Sequence, residues 1–301
     1  MRWYFGIDEG GARGETGALA KLAVLSARAA GGLEPVMLYH GAQGEFCAWM
    51  ARHGVRIIEA QPGFWDAVEA AQAAGTYRPL TIGHWLRLVI PQIETEREYV
   101  LYTDCDVIFL RRFNWESLRP VVFAAAAEML PENWNYFNSG VMLLHVPAMR
   151  ATYPALEDLV RRRIGSPGYE RYDDQYALNE AYRGHWERLA LGCNYKPYWA
   201  FDPGAALLHW HGPKPEQLEK LARGGYPVKD EVLQFYEKML AARIEPYLAW
   251  SRYMGDFLQD VDLQWAVSFA RLASALTVWR RSNQPSGDSG FMNIKYFAES
   301  I

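Results

Sequence analysis

The sequence predicts an α/β fold, a mostly parallel sheet with helices on both faces and a helical annex at the C-terminal end. Three observations carry this prediction. Short apolar runs alternate with helix-length stretches through the first two thirds of the chain, the pattern of strands joined by crossover helices. The 301 residues, 50% hydrophobic and 22% charged, have a globular composition and enough length to bury a full core. Beyond about residue 215 the strand-like runs stop and only helical periodicity remains.

In chain order, residues 3–7 form a first strand. Residues 16–30 are rich in Ala and Leu and end at Gly31-Gly32, a helix with its C-terminal break. Short strands at 36–39 and 55–59 flank a helix at 46–53, and further helices follow at 65–74 and 81–89. The run 99–103 is a buried strand that ends in Asp104-Cys105-Asp106. Residues 137–146 form another strand, opened by a polar turn. Helices follow at 150–163 and 173–182, the second started by two aspartates where the helix dipole favours them. Residues 207–211 make a last strand before Gly212-Pro213-Lys214-Pro215. Helices then occupy 215–222, 229–243, 245–257 and 263–281, with a polar link at 283–290. The expected division is 1–215 and 216–301.

Charge and cysteine content narrow the function classes. A net charge of −4 gives no basic face, so a nucleic-acid partner is not expected. Cys47, Cys105 and Cys193 are scattered without a C-x-x-C pair, which reads as reduced thiols in a cytoplasmic protein. No signal peptide is legible, and no run approaches the ~18 apolar residues of a membrane span. The 12 Trp and 18 Tyr suit a sugar-binding cleft, and equally a dense core.

The chemistry concentrates at Asp104 and Asp106. Residues i and i+2 of an extended segment point the same way, so both carboxylates are expected to converge while Cys105 faces away. Like charges that close call for a cation between them, and oxygen ligands suit Mg²⁺ or Mn²⁺. A D-x-D alone also fits a loop cap. It fits the nucleophile of a haloacid-dehalogenase-type phosphatase as well, although Ile108 stands where that family has Thr or Val. His209 and His211 flank Trp210, so in a strand both imidazoles share one face; one could ligate a metal and the other bond a phosphate. Asn138-Ser139-Gly140 also reads as a turn, and Asp173-Asp174 as a helix N-cap.

Four stretches taken together resemble a known family: Tyr99-Val-Leu-Tyr-Thr-Asp-Cys-Asp-Val, Phe137-Asn-Ser-Gly-Val-Met-Leu-Leu, Asp174-Gln-Tyr-Ala-Leu-Asn and Leu208-His-Trp-His-Gly-Pro-Lys-Pro. In order and spacing they resemble the metal-dependent glycosyltransferases of GT-A type, most closely the family-8 group of glycogenin and the bacterial lipopolysaccharide galactosyltransferases. The resemblance spans most of residues 1–215. It implies the GT-A nucleotide-diphospho-sugar transferase fold and transfer of a hexose, more often from a UDP-linked donor, to a glycan or glycolipid with retention of configuration. It also implies that Asp104, Asp106 and His209 hold Mn²⁺ or Mg²⁺ against the donor diphosphate. By the same resemblance Arg87 contacts the donor, Asn138 and Ser139 lie against sugar or ribose, and Asp174 and Gln175 face the transferred sugar and acceptor. Asp8 and Glu9 would sit by the base. His211, Gly212 and Lys214 would meet the leaving diphosphate. Two departures stand out: a single residue separates Gly212 from Lys214 where the family has two, and Glu216 replaces the family's Trp. A non-catalytic sugar- or nucleotide-binding module would keep the same motifs.

The helix expected at 263–281 is apolar except for a narrow polar stripe. It implies core packing, a homo-oligomer contact or peripheral contact with a membrane surface, where Arg280 and Arg281 beside Trp279 would suit anionic headgroups.

Overall fold

The computed structural model describes residues 1–78, 81–225 and 231–283. Its strands are β1 (Arg2–Asp8), β2 (Glu34–His40), β3 (Arg56–Glu59), β4 (Tyr99–Thr103), β5 (Val107–Phe109), β6 (Phe123–Ala127), β7 (Phe137–His145), β8 (Glu187–Arg188) and β9 (Leu207–His209). Its α-helices are α1 (Glu9–Ala12), α2 (Glu15–Ala30), α3 (Glu45–Arg52), α4 (Trp65–Ala73), α5 (Ile90–Ile93), α6 (Val146–Arg163), α7 (Asp174–Ala181), α8 (Pro215–Ala222), α9 (Glu231–Ala242), α10 (Ile244–Phe257) and α11 (Leu263–Ser282). The chain forms two compact units. One comprises Met1–Asn194 with Ala205–Leu207, the other Tyr195–Gly204 with Leu208–Ile301.

The first unit is built on a seven-stranded sheet of order β3-β2-β1-β4-β7-β6-β8. β1 runs parallel to β2 and β4, and β2 to β3; β7 alone is reversed, antiparallel to both β4 and β6. The central strands β1, β4 and β6 are apolar on both faces, as a sheet covered on both sides requires. Alternation sends Tyr4, Tyr102, Met142 and Leu144 into one core and Trp3, Phe5, Leu101, Val141 and Leu143 into the other. The first core is closed by α4, α6 and α7 through Val68, Leu156 and Leu178. The second is closed by α2 and α3 through Val24 and Met50. Gly6 lets the 3-10 turn Ile82–Val89 approach β1, because a Cβ at that position would lie 2.9 Å from the Leu86 Cβ.

Several expectations change. Residues 81–89 are 3-10 turns rather than an α-helix. Asp104-Cys105-Asp106 lies beyond β4 in a turn, so strand alternation does not orient its carboxylates. β9 ends at His209, two residues earlier than expected. Phe123–Ala127, to which the sequence assigns no strand, is a buried one. The expected link at 283–290 lies, from 284 onward, outside the described residues.

In the second unit Leu208 bridges to Tyr195, and the His209 amide donates to the Tyr195 carbonyl at 2.8 Å. Trp210 packs edge-on against Phe269 of α11, and α10 lies along α11. No described helix is long and apolar enough to cross a membrane. All three cysteines are buried free thiols.

Candidate active site

The carboxyl ends of β1 and β4 and the start of the reversed β7 meet at one edge of the first sheet, the place where open α/β sheets bind ligands. Reversal of β7 is what brings its polar opening residues there. The Asp104 amide donates to the Gly140 carbonyl at 2.7 Å, which ties the turn after β4 to β7. Trp3 Nε1 donates to Thr103 Oγ1 at 2.9 Å and Cys105 Sγ to the Gly6 carbonyl at 3.3 Å, so the turn is also anchored to β1.

Arg87 organises this edge. Its side chain is 7% exposed and reaches three neighbours. Nη2 donates to Asp104 Oδ1 at 2.8 Å, Nη1 donates to the Ser139 carbonyl and Oγ at 2.6 and 2.7 Å, and Nε lies 2.8 Å from Asp174 Oδ2. The guanidinium also stacks 4.6 Å from the Tyr102 ring centre. Burial alone would lower its pKa; the Asp104 and Asp174 charges outweigh that and hold it above the ordinary arginine value. Tyr102 donates its hydroxyl to Asp104 Oδ1 at 2.9 Å. One oxygen of Asp104 thus receives two donors.

The capping question at α7 is resolved by a division of labour. Asp173 is the N-cap, its Oδ1 accepting from the Tyr176 amide at 2.9 Å. Asp174 is turned inward and only 3% exposed. Burial pushes its carboxyl up to about 7, with Asp173 and Asp104 adding to the rise and Arg87 opposing it. Gln175 Oε1 accepts from the Ser139 amide at 2.8 Å and from Asn138 Nδ2 at 3.2 Å. Asn138 is buried, and its Oδ1 accepts from the Gly140 amide at 3.1 Å and from Asn194 Nδ2 at 2.9 Å. It therefore belongs to the frame that shapes the edge.

Asp8 and Glu9 occupy the end of β1. Asp8 Oδ1 accepts from the Gly11 amide at 2.7 Å and its Oδ2 from the Gly83 amide at 3.0 Å, so this carboxylate caps α1 and ties the 3-10 turn to β1. Glu9 pairs with Arg13 and accepts from the Ala42 amide at 3.0 Å. Both residues hold the loop together.

In the second unit His209 is buried at the end of β9. His211 Nδ1 meets the Tyr198 hydroxyl at 2.8 Å, and the two imidazole rings lie edge to face at 5.4 Å. The rings do meet, although the strand that was expected to align them stops at His209. Gly212 adopts φ +82°, the left-handed region open to glycine. Lys214 Nζ donates to the Trp210 carbonyl at 3.0 Å, and its backbone caps α8 together with Gln217.

Sequence reasoning missed two participants. Tyr102 lies inside a quoted motif, but as a core-facing strand residue it gave no sign of reaching Asp104. Asn179 accepts from the Phe137 amide and donates to its carbonyl, both at 2.9 Å, clamping α7 to β7. Its place four residues, one helical turn, after Gln175 was the available signal.

No protein-family model and no curated protein matches the sequence. Solved structures do. The chain is similar to a galactosyltransferase, LgtC, solved with donor and acceptor sugar analogues: 18% identity over 80% of this chain and 96% of that one, TM-score 0.55. It is similar to the apo form of the glycosyltransferase GlyE of Streptococcus pneumoniae TIGR4, at 17% identity over 92% of this chain and 64% of that one, TM-score 0.52. It is also similar to WbbM, a bifunctional glycosyltransferase, at 14% identity over 91% of this chain and 52% of that one, TM-score 0.53. The likeness is one of fold: a mixed α/β sheet, mostly parallel, of the GT-A type that the four motifs imply.

Proposed function

We propose that this chain is a metal-dependent glycosyltransferase that moves a hexose from a nucleotide-diphosphate sugar, UDP-linked in our reading, to a hydroxyl of a glycan or glycolipid with retention. Residues 1–215 would form the catalytic domain and 216–301 its annex. The observation that carries the reading is the buried Arg87 guanidinium shared among Asp104, Asp174 and Ser139 at the ligand-binding edge of a GT-A sheet. Such a network fixes an acidic turn in one orientation, the preorganisation that stabilising a developing charge requires.

The donor set fits a hard divalent cation. Asp104, Asp106 and His209 offer carboxylate oxygens and an imidazole nitrogen, a mixture that suits Mn²⁺ and also accepts Mg²⁺. His209 enters the set as the third ligand that the family resemblance implies. A divalent cation held there would offset the charge that grows on the departing diphosphate. Arg87 and Tyr102 orient Asp104. Asp174, protonated or paired with Arg87, stands beside Ser139 and Gln175 where the transferred sugar and the acceptor would lie. Lys214 with His211 and Gly212 would face the diphosphate. Asp8 and Glu9 shape the loop that would receive the base.

A phosphatase with Asp104 as nucleophile is disfavoured by the depth of the D-x-D in the chain and by Ile108 where that family has Thr or Val. The test is thermal stabilisation by UDP or GDP, with and without Mn²⁺, on the wild type and on Asp106→Asn. We expect UDP with Mn²⁺ to raise the melting temperature, and the substitution to abolish the rise. No shift with either nucleotide would sink the reading. The anomeric proton of the product, read by NMR, decides retention.

A further inference from the structure

Next to Gln175 the first unit carries a set of aromatic rings that the donor-side reading does not use. Tyr176, the following residue on α7, is 40% exposed although large and aromatic. Its ring lies edge to face with that of Tyr136 at 5.8 Å. It tilts 33° from the ring of Tyr172 at 6.4 Å. Tyr172 is buried, with its hydroxyl donating to Glu180 at 3.1 Å. Tyr176 is therefore the solvent-facing end of a fixed aromatic row. Burial pushes the Tyr136 pKa up, so its hydroxyl stays protonated. Asp173, whose side chain is 26% exposed and pairs with Arg78 at 3.3 Å, adds a carboxylate within the same turn.

A partly exposed aromatic ring with amide and carboxylate groups in the same turn matches one ligand chemistry well. A pyranose offers an apolar face of C–H groups and a rim of hydroxyls, and aromatic side chains with a few placed polar groups recognise such a surface. We infer that Tyr176 and Tyr136 form a stacking platform for a pyranose ring of the acceptor. The inference rests on the transferase reading and deepens it, since it names residues of this chain that would select the acceptor.

Saturation-transfer NMR with methyl β-galactoside, methyl β-glucoside and lactose tests it on the full chain with UDP and Mn²⁺. In the wild type the axial ring protons of at least one sugar should saturate. Tyr176→Ala should weaken that sugar's binding tenfold or more, Tyr176→Phe should leave it within threefold, and Tyr136→Phe should weaken it through the lost hydroxyl. Where transfer is measured, Tyr176→Ala should raise the acceptor KM with little change in kcat. Saturation that persists unchanged in Tyr176→Ala, or no saturation by any of the three sugars, overturns the platform. Thermal stabilisation by UDP and Mn²⁺ reads the transferase proposal separately. Nucleotide stabilisation without sugar binding rejects the platform alone, and sugar binding without nucleotide stabilisation rejects the transferase alone.

Discussion

Arg87 is a buried cation with two carboxylates and a serine around it. Removing it leaves Asp104 and Asp174 near one another with their shared counter-charge gone, the situation in which breaking a buried pair costs most. Arg87→Met should destabilise the protein by about 3–5 kcal/mol in urea unfolding. Arg87→Lys should restore little of it, because one ammonium has no fork to reach three partners. Asp174 gives a second test at this scale. Its native pKa, near 7, lies above the ordinary aspartate value of about 3.9, so the native state holds a proton that the unfolded state has lost. Stability linked to this group is present at pH 4 and fades as the pH rises through about 7. Urea midpoints of the metal-free protein at pH 5 and pH 8 should differ in that direction, and Asp174→Asn should narrow the difference.

At the scale of elements the site depends on how α7 is started and clamped. Asp173→Ala removes the N-cap and should cost about 1 kcal/mol. Asn179→Ala leaves the Phe137 amide and carbonyl without their side-chain partner and should cost about 1–3 kcal/mol. Both are read by denaturant midpoints at constant m. The sequence showed the strands that carry the motifs because apolar runs and polar ends mark them in any context. It did not show the turn at Asp104–Asp106, because that turn is set by hydrogen bonds to Gly6 and Gly140 from distant strands. It assigned a helix at 81–89 on apolar spacing; over so short a segment that spacing fits 3-10 and α geometry alike, and the segment is 3-10 with its Gly83 amide satisfied by Asp8. Phe123–Ala127 has the local preference of a helix, and burial between β7 and β8 overrides it. The division of Asp173 and Asp174 into cap and buried acid lay beyond sequence because adjacent aspartates satisfy the capping pattern equally.

For the whole molecule, the C-terminal helices leave a second question open to measurement. Leu263, Val267 and Val278 of α11 are exposed, at 68%, 52% and 60%. Beside the packing that Phe269, Leu272 and Leu276 make in the second unit, we propose a peripheral membrane or homo-oligomer contact for α11. Flotation with anionic vesicles should retain the full chain and lose a Val267→Asp, Val278→Asp variant; concentration-dependent mass in ultracentrifugation, reversed by the same pair, would instead assign an oligomer.

The sharing of Arg87 also has a bearing on synthesis. Its partners at 104 and 139 leave the ribosome well before Asp174 does, and contacts this far apart in sequence close late. Until α7 emerges, the guanidinium can be balanced only in part, and the sheet edge it secures stays open to proteases. A nascent chain stalled with Asp174 still inside the tunnel should be cleaved near residue 87, whereas one stalled after the whole of residues 1–207 has emerged should resist. The last residue to join the network would then decide when the growing chain becomes safe.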